Sequence, residues 1–374
     1  MKKRIKKTFT IHHWLGLVAG IFLLISSITG SVLVFHHDID HAQFSEQSTL
    51  PVPAKALKID NSIELIRQAH PGSDIRIPEL PEDPNQALKY EIRQGSRRKW
   101  VFVHPETGET LSTVAKADKR LVHVLLDIHY NLLSGTPGKI LVLLGGLSLI
   151  ILSITGLLLY RKSLLKVLRF RQRISFKSRR AFFSSLHRVV GVWSLVFNLL
   201  LSITGTWIAY TIVQSALTPA ASHAVAEDTS VATVSVDGML KKVRKDYPGF
   251  DINYLRFTGG TMTVLGRMAT DPSYYGATYS NLQVNLPSGE VRAVSFVRDQ
   301  PWYKRAITIL KPLHFGDYAG LAVKLLYSFF GLMPGLLAIS GFFIWRLRNK
   351  MSSRQKNSPK AKVAYSSSIP TTLS

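Results

Sequence analysis

The pentapeptide Leu-Ser-Ile-Thr-Gly occurs at residues 152–156 and again at residues 201–205. Two related sequences, SSITG at 26–30 and LAISG at 337–341, lie in comparable surroundings. All four are found inside long apolar segments, where a hydroxyl group has little access to water. Small and hydroxyl-bearing residues at such positions are typical of close helix packing or of a functional site within the membrane.

The four pentapeptides belong to four segments that contain no charged side chain: 14–35, 140–160, 189–213 and 325–345. A helix needs about 20 apolar residues to cross roughly 30 Å of hydrocarbon. The sequence therefore predicts four transmembrane helices. We expect the first to be retained, because it is longer than the apolar region of a signal peptide and no small-residue cleavage pattern follows it.

The net charge of +24 is concentrated in three segments. Residues 1–13, 161–188 and 346–374 hold 22 of the 47 basic residues and none of the acidic ones. Short loops rich in Lys and Arg remain in the cytoplasm, so both termini and the 161–188 segment are predicted to be cytoplasmic. The segments 36–137 and 214–318 are then outside. Because membrane topology and anionic lipid explain the charge, we expect no nucleic-acid partner.

The predicted order of segments alternates spans with regions on the two sides of the lipid bilayer. It is a cytoplasmic tail (1–13), a first span (14–35), an outer module (36–137), a second span (138–160), a basic cytoplasmic loop (161–188), a third span (189–213), a second outer module (214–318), a fourth span (319–345) and a basic cytoplasmic tail (346–374).

The two outer modules have similar sequences. NSIELIRQAHPGSDI at 61–75 resembles DGMLKKVRKDYPGFDI at 237–252. Each indicates a short amphipathic helix that ends at Pro-Gly and precedes short antiparallel strands. The predicted fold is an α-helical membrane protein with four transmembrane helices, two small α+β modules and an internal duplication.

Histidine spacing supports the duplication. His12 and His187 each precede glycines by 4 and 18 residues, while His129 and His314 each precede glycines by 6 and 27. The first pair is predicted at the inner ends of the spans and the second pair at the outer ends. Repeated spacings around an uncommon residue type favour a shared role over coincidence.

Two histidines on opposed helices can supply both axial ligands of a haem iron. We therefore predict two haem groups, the inner one on His12 and His187 and the outer one on His129 and His314. The alternative is that these imidazoles only anchor helix ends at the membrane interface. The chain has no cysteine, which excludes thiolate-held iron–sulfur clusters and c-type haem attachment.

The pentapeptide glycines could make room for a flat macrocycle, or they could belong to an ordinary helix-packing seam. These glycines are Gly30, Gly156, Gly205 and Gly341. His13 is an alternative inner ligand, although it points about 100° away from His12 on a helix. His36, His37 and His41 could ligate the outer haem or a periplasmic metal ion, or could be solvated interfacial residues.

These elements together resemble the PepSY-associated transmembrane protein family, which includes iron-regulated membrane proteins and ferric-siderophore reductases of bacterial inner membranes. The resemblance rests on HHWLG at 12–16, LHRVVG at 186–191, the repeated SITG, the HPG and YPG of the module helices, and VFVHPETGE at 101–109. It covers about residues 12–348. This chain carries His13 where an Arg-like residue is usual, so the choice of inner ligand stays open.

The resemblance implies periplasmic PepSY modules and a membrane domain with haem b that passes electrons outward. The leading hypothesis is a reductase for a periplasmic ferric chelate such as a ferric siderophore, with a separate cytoplasmic reductase or quinol as electron donor. No glycine-rich nucleotide motif occurs in the cytoplasmic segments. The alternative is a non-enzymatic PepSY protein that regulates a protease or assists iron uptake. A transporter is less favoured, because the spans contain no carboxylate relay.

Candidate substrate contacts fall into a basic set and an aromatic set. They are Arg97, Arg98 and Lys99, and Trp302, Tyr303, Tyr274 and Tyr275.

Overall fold

The computed structural model describes residues 2–95, 97–116, 120–218 and 234–356. The helices are α1 (Lys2–Leu33), α2 (His36–Gln43), α3 (Ser45–Ser48), α4 (Asp60–Ala69), α5 (Leu121–Asn131), α6 (Gly135–Leu168), α7 (Arg179–Trp193), α8 (Leu195–Leu217), α9 (Val236–Asp246), α10 (Trp302–Phe315), α11 (Gly320–Gly331) and α12 (Met333–Lys356). The strands are β1 (Asp74–Ile77), β2 (Leu88–Gln94), β3 (Arg97–Val103), β4 (Thr110–Val114), β5 (Phe250–Thr258), β6 (Thr261–Met268), β7 (Ser280–Asn285) and β8 (Val291–Ser295). Parts of the predicted second module (219–233) and of the C-terminal tail (357–374) lie outside the described residues.

Four helical segments are long and apolar enough to cross a membrane: Lys3–Leu33, Gly135–Leu168, Leu195–Leu217 and Gly320–Lys350. The prediction of four transmembrane helices is confirmed. The fourth segment consists of α11 and α12, which are separated only by Leu332.

The helices extend beyond the predicted ends of the spans. Helix α1 begins at Lys2, inside the predicted tail, and α6 continues to Leu168. Helix α7 begins at Arg179, where the side chain of Ser178 accepts a hydrogen bond from Ala181. The segment 161–188 is therefore largely helical, in contrast to the predicted loop. Lys and Arg are good helix formers, so a change from lipid to water does not by itself end a helix.

The two predicted modules share one antiparallel sheet of eight strands, in the order β4-β3-β2-β1-β5-β6-β7-β8. Strands β1 and β5 join the two sets of four, with Arg76 opposite Arg256. A four-stranded sheet on its own would leave the backbone groups of both edge strands unpaired. Pairing β1 with β5 satisfies one edge of each set and makes the modules a single unit.

Helices α4 and α9 lie on one face of this sheet, and each caps the other. The carboxylate of Asp237 accepts hydrogen bonds from the backbone N–H groups of Ile59 and Asp60 at 3.1 and 3.2 Å. The carboxylate of Asp60 accepts from the N–H of Val236 at 2.6 Å. Carboxylates at helix N-termini satisfy donors that have no partner within the helix. The exchange fixes the two helices side by side.

One hydrophobic core runs beneath both helices. Fully buried side chains from both halves of the sheet meet there, among them Tyr90, Leu255 and Met262. On the opposite face, Trp100 and Phe102 form a second cluster with Phe44, which lies between α2 and α3. This second cluster connects the sheet to the segment that follows the first span.

Candidate functional site

The structure brings the predicted inner histidines together. His12 lies on α1 and His187 on α7, and their ring centroids are 6.2 Å apart. Nδ1 of His12 lies 2.9 Å from Oγ1 of Thr155 on α6. Nδ1 of His187 lies 2.9 Å from Oγ of Ser340 on α12. Each imidazole is thus held by the hydroxyl group of a pentapeptide on another helix.

The predicted outer histidines form a second pair with the same contacts. His129 on α5 and His314 on α10 have ring centroids 6.3 Å apart. Nδ1 of His129 lies 3.0 Å from Oγ1 of Thr29, and Nδ1 of His314 lies 3.1 Å from Oγ1 of Thr204. In all four pentapeptides, the hydroxyl of the residue before the glycine therefore contacts a histidine.

Hydrogen-bond donors determine the tautomer of each imidazole. The hydroxyl hydrogens of Thr29, Thr155 and Thr204 are donated to backbone carbonyls four residues earlier, at 2.7 to 2.9 Å. Ser340 donates to the carbonyl of Leu337 at 3.1 Å. With its one hydrogen given to that carbonyl, the hydroxyl accepts from the imidazole, which assigns the ring proton to Nδ1. The lone pair of each neutral ring is then on Nε2.

This arrangement fits a metal-centred group between the rings of each pair. A metal-ligating histidine commonly has its second nitrogen held by an outer-shell partner, which is the role of the pentapeptide hydroxyl. Metal–imidazole bonds are about 2.0 Å long, so two imidazoles that shared one ion through Nε2 would have centroids up to roughly 6 Å apart. The separations of 6.2 and 6.3 Å agree with that value.

The pentapeptide glycines accommodate the imidazoles themselves. A Cβ at Gly30 would lie 2.8 Å from Cε1 of His129, and one at Gly205 would lie 2.7 Å from Cε1 of His314. At these two positions the imidazole rings already occupy the space that a side chain would fill. Gly156 and Gly341 also face histidines, at 3.4 and 3.7 Å. Unlike the outer glycines, they line an open cavity as well.

That cavity has a volume of about 170 Å³ and is lined by the inner histidine pair and by side chains of α1, α6, α7, α8 and α12. Its walls also include His13, Tyr160 and Arg188. His13 stacks on Phe9 at 5.8 Å between ring centroids, whereas His12 faces His187. The geometry thus favours His12 over His13 as the inner ligand.

Sequence reasoning missed Asn198. Its side chain is 3% exposed and lines the same cavity. Nδ2 donates to Oγ of Ser194 at 3.0 Å, while Oδ1 has no hydrogen-bond partner among the described residues. An isolated amide within an apolar span was the available signal, since polar groups in such segments are commonly functional.

The predicted substrate contacts have different surroundings. Arg98 lies 3.4 Å from Glu91, and Nζ of Lys99 lies 3.4 Å from Nε2 of His70. In the aromatic set, Trp302 is 75% exposed and its ring centroid lies 6.1 Å from that of Tyr303. The helical turn Ser273–Tyr275 packs on the same helix, α10, which carries His314 at its other end. The aromatic set is therefore the more accessible one.

Comparison with known proteins identifies similar sequences. Residues 9–348 match the family described as the PepSY-associated TM region. A curated relative, the uncharacterized protein PA4219 of Pseudomonas aeruginosa, is 25% identical over 253 residues. The match covers 60% of this chain and 63% of the relative, which is less than two thirds of that protein's length.

Proposed function

The chain belongs to the PepSY-associated TM family, and on that premise we propose that it is a haem-containing reductase of the bacterial inner membrane. Electrons would cross the membrane from the cytoplasmic side and reduce a ferric chelate, such as a ferric siderophore, in the periplasm. The observation that carries the proposal is the presence of two facing histidine pairs in which a pentapeptide hydroxyl holds each Nδ1, so that Nε2 is the nitrogen that would bind a metal.

Haem b at each pair would supply one-electron transfer. His12 and His187 would hold the inner iron, and His129 and His314 the outer one. The hydroxyl groups of the pentapeptides keep the imidazoles in the required tautomer and orientation. Because those groups lie on helices that pack against the histidine-bearing helices, helix packing sets the positions of the imidazoles.

The separation of the two pairs suits transfer across a membrane. His12 belongs to the inner pair, and Thr29, which contacts the outer pair, lies 17 residues further along α1. At about 1.5 Å per residue, this places the two pairs about 25 Å apart along the helix axis. Two sites at opposite ends of the spans divide the membrane into shorter steps than one site would.

We place the eight-stranded sheet in the periplasm and both termini in the cytoplasm. The basis is the positive-inside rule, applied to the basic residues of 1–13, 161–188 and 346–374. We also propose that the chain arose by internal duplication, since each half contains one amphipathic helix followed by four strands and the same two histidine–hydroxyl contacts.

The ferric chelate would bind at the start of α10, where Trp302 and Tyr303 present exposed aromatic surface. His314 of the outer pair lies at the other end of the same helix, 12 residues from Trp302 or about 18 Å along the axis. One electron converts Fe(III) in the chelate to Fe(II), which most siderophore-type oxygen ligands hold less tightly because it carries less charge. The donor would be a separate cytoplasmic reductase or membrane quinol. The inner cavity, which His12 and His187 line, is the expected point of electron entry.

A visible spectrum of the purified full-length protein tests the proposal. We expect a haem Soret band and close to two haem groups per chain. His12→Ala and His187→Ala should each remove the inner group, and His129→Ala and His314→Ala the outer one. His13→Ala is the matched control and should retain both groups.

The competing function is a non-enzymatic PepSY protein that regulates a protease or assists iron uptake. It predicts no Soret band after expression with adequate haem, and visible spectra of the four alanine variants that do not differ from that of the wild type. Either result would contradict the reductase proposal.

A further inference from the structure

A second cluster of ligand-type side chains lies beside the outer pair. The ligand atoms of His36, His37 and Asp317 are all within 4.8 Å of one another. We propose that these three residues bind one divalent transition-metal ion, and that ferrous iron released by reduction is the ion held there. The site itself is independent of the haem groups, whereas the choice of iron rests on the proposed function.

Chain geometry explains why these residues meet. Helix α1 ends at Leu33, and α2 begins with the two histidines after a short turn. Asp317 follows Gly316, which ends α10 in the left-handed conformation at φ 71°. A Cβ at Gly316 would collide with the ring of Tyr327, so the turn that delivers the carboxylate depends on this glycine. Asp317 is also three residues after His314, which places the cluster next to the outer pair.

The donor set suits a transition metal. Two imidazoles and one carboxylate are the ligands of mononuclear ferrous sites with open positions, and they also bind zinc. Donor atoms around one ion with bonds of about 2.1 Å lie at most roughly 4.2 Å apart. Small side-chain rotations from the observed spacing would bring all three atoms into range.

His36 is already oriented as a metal ligand. Its Nδ1 lies 3.0 Å from the carbonyl oxygen of Leu33, an acceptor with no hydrogen to give. Nδ1 must therefore be the donor, and the lone pair of the neutral ring lies on Nε2. His37 is exposed while His36 and Asp317 are partly buried, so an ion could reach the cluster from the aqueous side.

Two neighbouring carboxylates are already paired with cations. Asp38 forms an ion pair with Lys324 at 2.5 Å, and Asp40 forms one with Arg120 at 3.3 Å. Lys89 lies over the ring of Trp100 at 4.7 Å. Asp317, with no ion pair to an Arg or Lys among the described residues, remains as the carboxylate directed at the histidines.

The experiment is equilibrium dialysis of the purified full-length protein in detergent against Zn²⁺, with bound metal measured by mass spectrometry. We expect one saturable ion per chain that the four haem-ligand alanine variants still bind. Loss of an outer-shell partner alone lowers metal affinity roughly 10–100-fold, so His37→Ala and Asp317→Asn should each weaken binding by at least about tenfold. Anaerobic Fe²⁺ should displace bound Zn²⁺. It must be supplied in excess, because Zn²⁺ is the stronger binder of the two.

Two matched controls separate coordination from general electrostatics. Asp38→Asn makes the same charge change on a neighbouring residue that is paired with Lys324. His41→Ala removes an exposed histidine one turn further along α2. Both should bind Zn²⁺ as the wild type does. The assignment is overturned if the wild type shows no saturable Zn²⁺ or if the controls lose as much affinity. Failure of Fe²⁺ to compete would overturn iron as the occupant.

The same samples distinguish this inference from the reductase proposal. Haem content is read from the Soret band, and the Zn²⁺ stoichiometry is read from dialysis. A protein that binds Zn²⁺ but no haem refutes the proposed function and supports the metal site. A protein that binds haem but no Zn²⁺ supports the proposed function and refutes the metal site.

Discussion

Replacing Gly205 by alanine should displace His314 and disrupt the outer histidine pair while leaving the inner pair intact. The new Cβ would lie 2.7 Å from Cε1 of that imidazole, whereas ordinary contacts begin at 3.4 Å. The ring must therefore move by about 0.7 Å. It cannot move freely, because its Nδ1 is bound to Thr204, the residue before the substitution.

The energetic consequence can be bounded. A shift of that size stretches the 3.1 Å bond to Thr204 past the usual limit of about 3.2 Å and removes most of its contribution of about 1 kcal/mol. Overpacking a buried site costs about 1–3 kcal/mol. Against this, alanine favours a helix over glycine by about 1 kcal/mol. We expect a net destabilisation of about 1–3 kcal/mol at the outer site.

Gly341→Ala is the matched control. This glycine occupies the same position in its pentapeptide and faces His187, but its added Cβ would lie 3.7 Å from that ring, in ordinary contact. The helix-propensity gain is the same in both variants, so their difference isolates the steric effect.

The assay compares haem per chain and thermal unfolding of the full-length variants. We expect Gly205→Ala to lose about one haem group and to unfold at a lower temperature, and Gly341→Ala to keep both groups and unfold no earlier than the wild type. If the two variants behave alike, the argument from glycine geometry is refuted. The unfolding comparison remains informative even without haem, since the imidazole is displaced in either case.

Three further substitutions test other contacts. Thr155→Val keeps the side-chain shape but removes the acceptor for His12. It should lower the haem affinity of the inner site roughly 10–100-fold. A haem titration measures this change, and the outer haem serves as the internal control. Burial alone would raise the pKa of Asp74, but hydrogen bonds from two arginines, one of them Arg256, lower it below the ordinary value of 3.8. The ionised carboxylate of Asp74 therefore stabilises the fold above about pH 4, and this stabilisation is lost as the pH falls through the lower folded-state pKa. Asp74→Asn should have a smaller free energy of unfolding at pH 7. Its free energy of unfolding should also change less with pH in the acid range. Asp60→Ala removes the cap of α9 and should lower the free energy of unfolding by about 1 kcal/mol, as measured by denaturant titration.

The sequence was sufficient for features that depend on local pattern. Uninterrupted apolar runs predict the spans, and repeated histidine–glycine spacings predict which histidines belong together. The partner of each histidine was not predictable, because the contact between His12 and Thr155 joins residues 143 positions apart. Helix pairing decides that contact, and no spacing encodes it. The continuous sheet was missed for the same reason, since the β1–β5 pairing depends on how two separated segments approach.

Histidine–hydroxyl contacts and histidine–histidine contacts are distributed differently between the two halves of the chain, residues 2–168 and 179–356. Every histidine–hydroxyl contact lies within one half: His12 with Thr155, His129 with Thr29, His187 with Ser340, and His314 with Thr204. Both histidine–histidine pairs join one half to the other. A single half can therefore set the tautomer and orientation of its imidazoles, but it contributes only one imidazole to each pair. The geometry of each imidazole comes from packing inside its own half, whereas the histidine pairs exist only at the interface between the halves. Outside the spans, the β1–β5 pairing and the reciprocal helix caps hold that interface together.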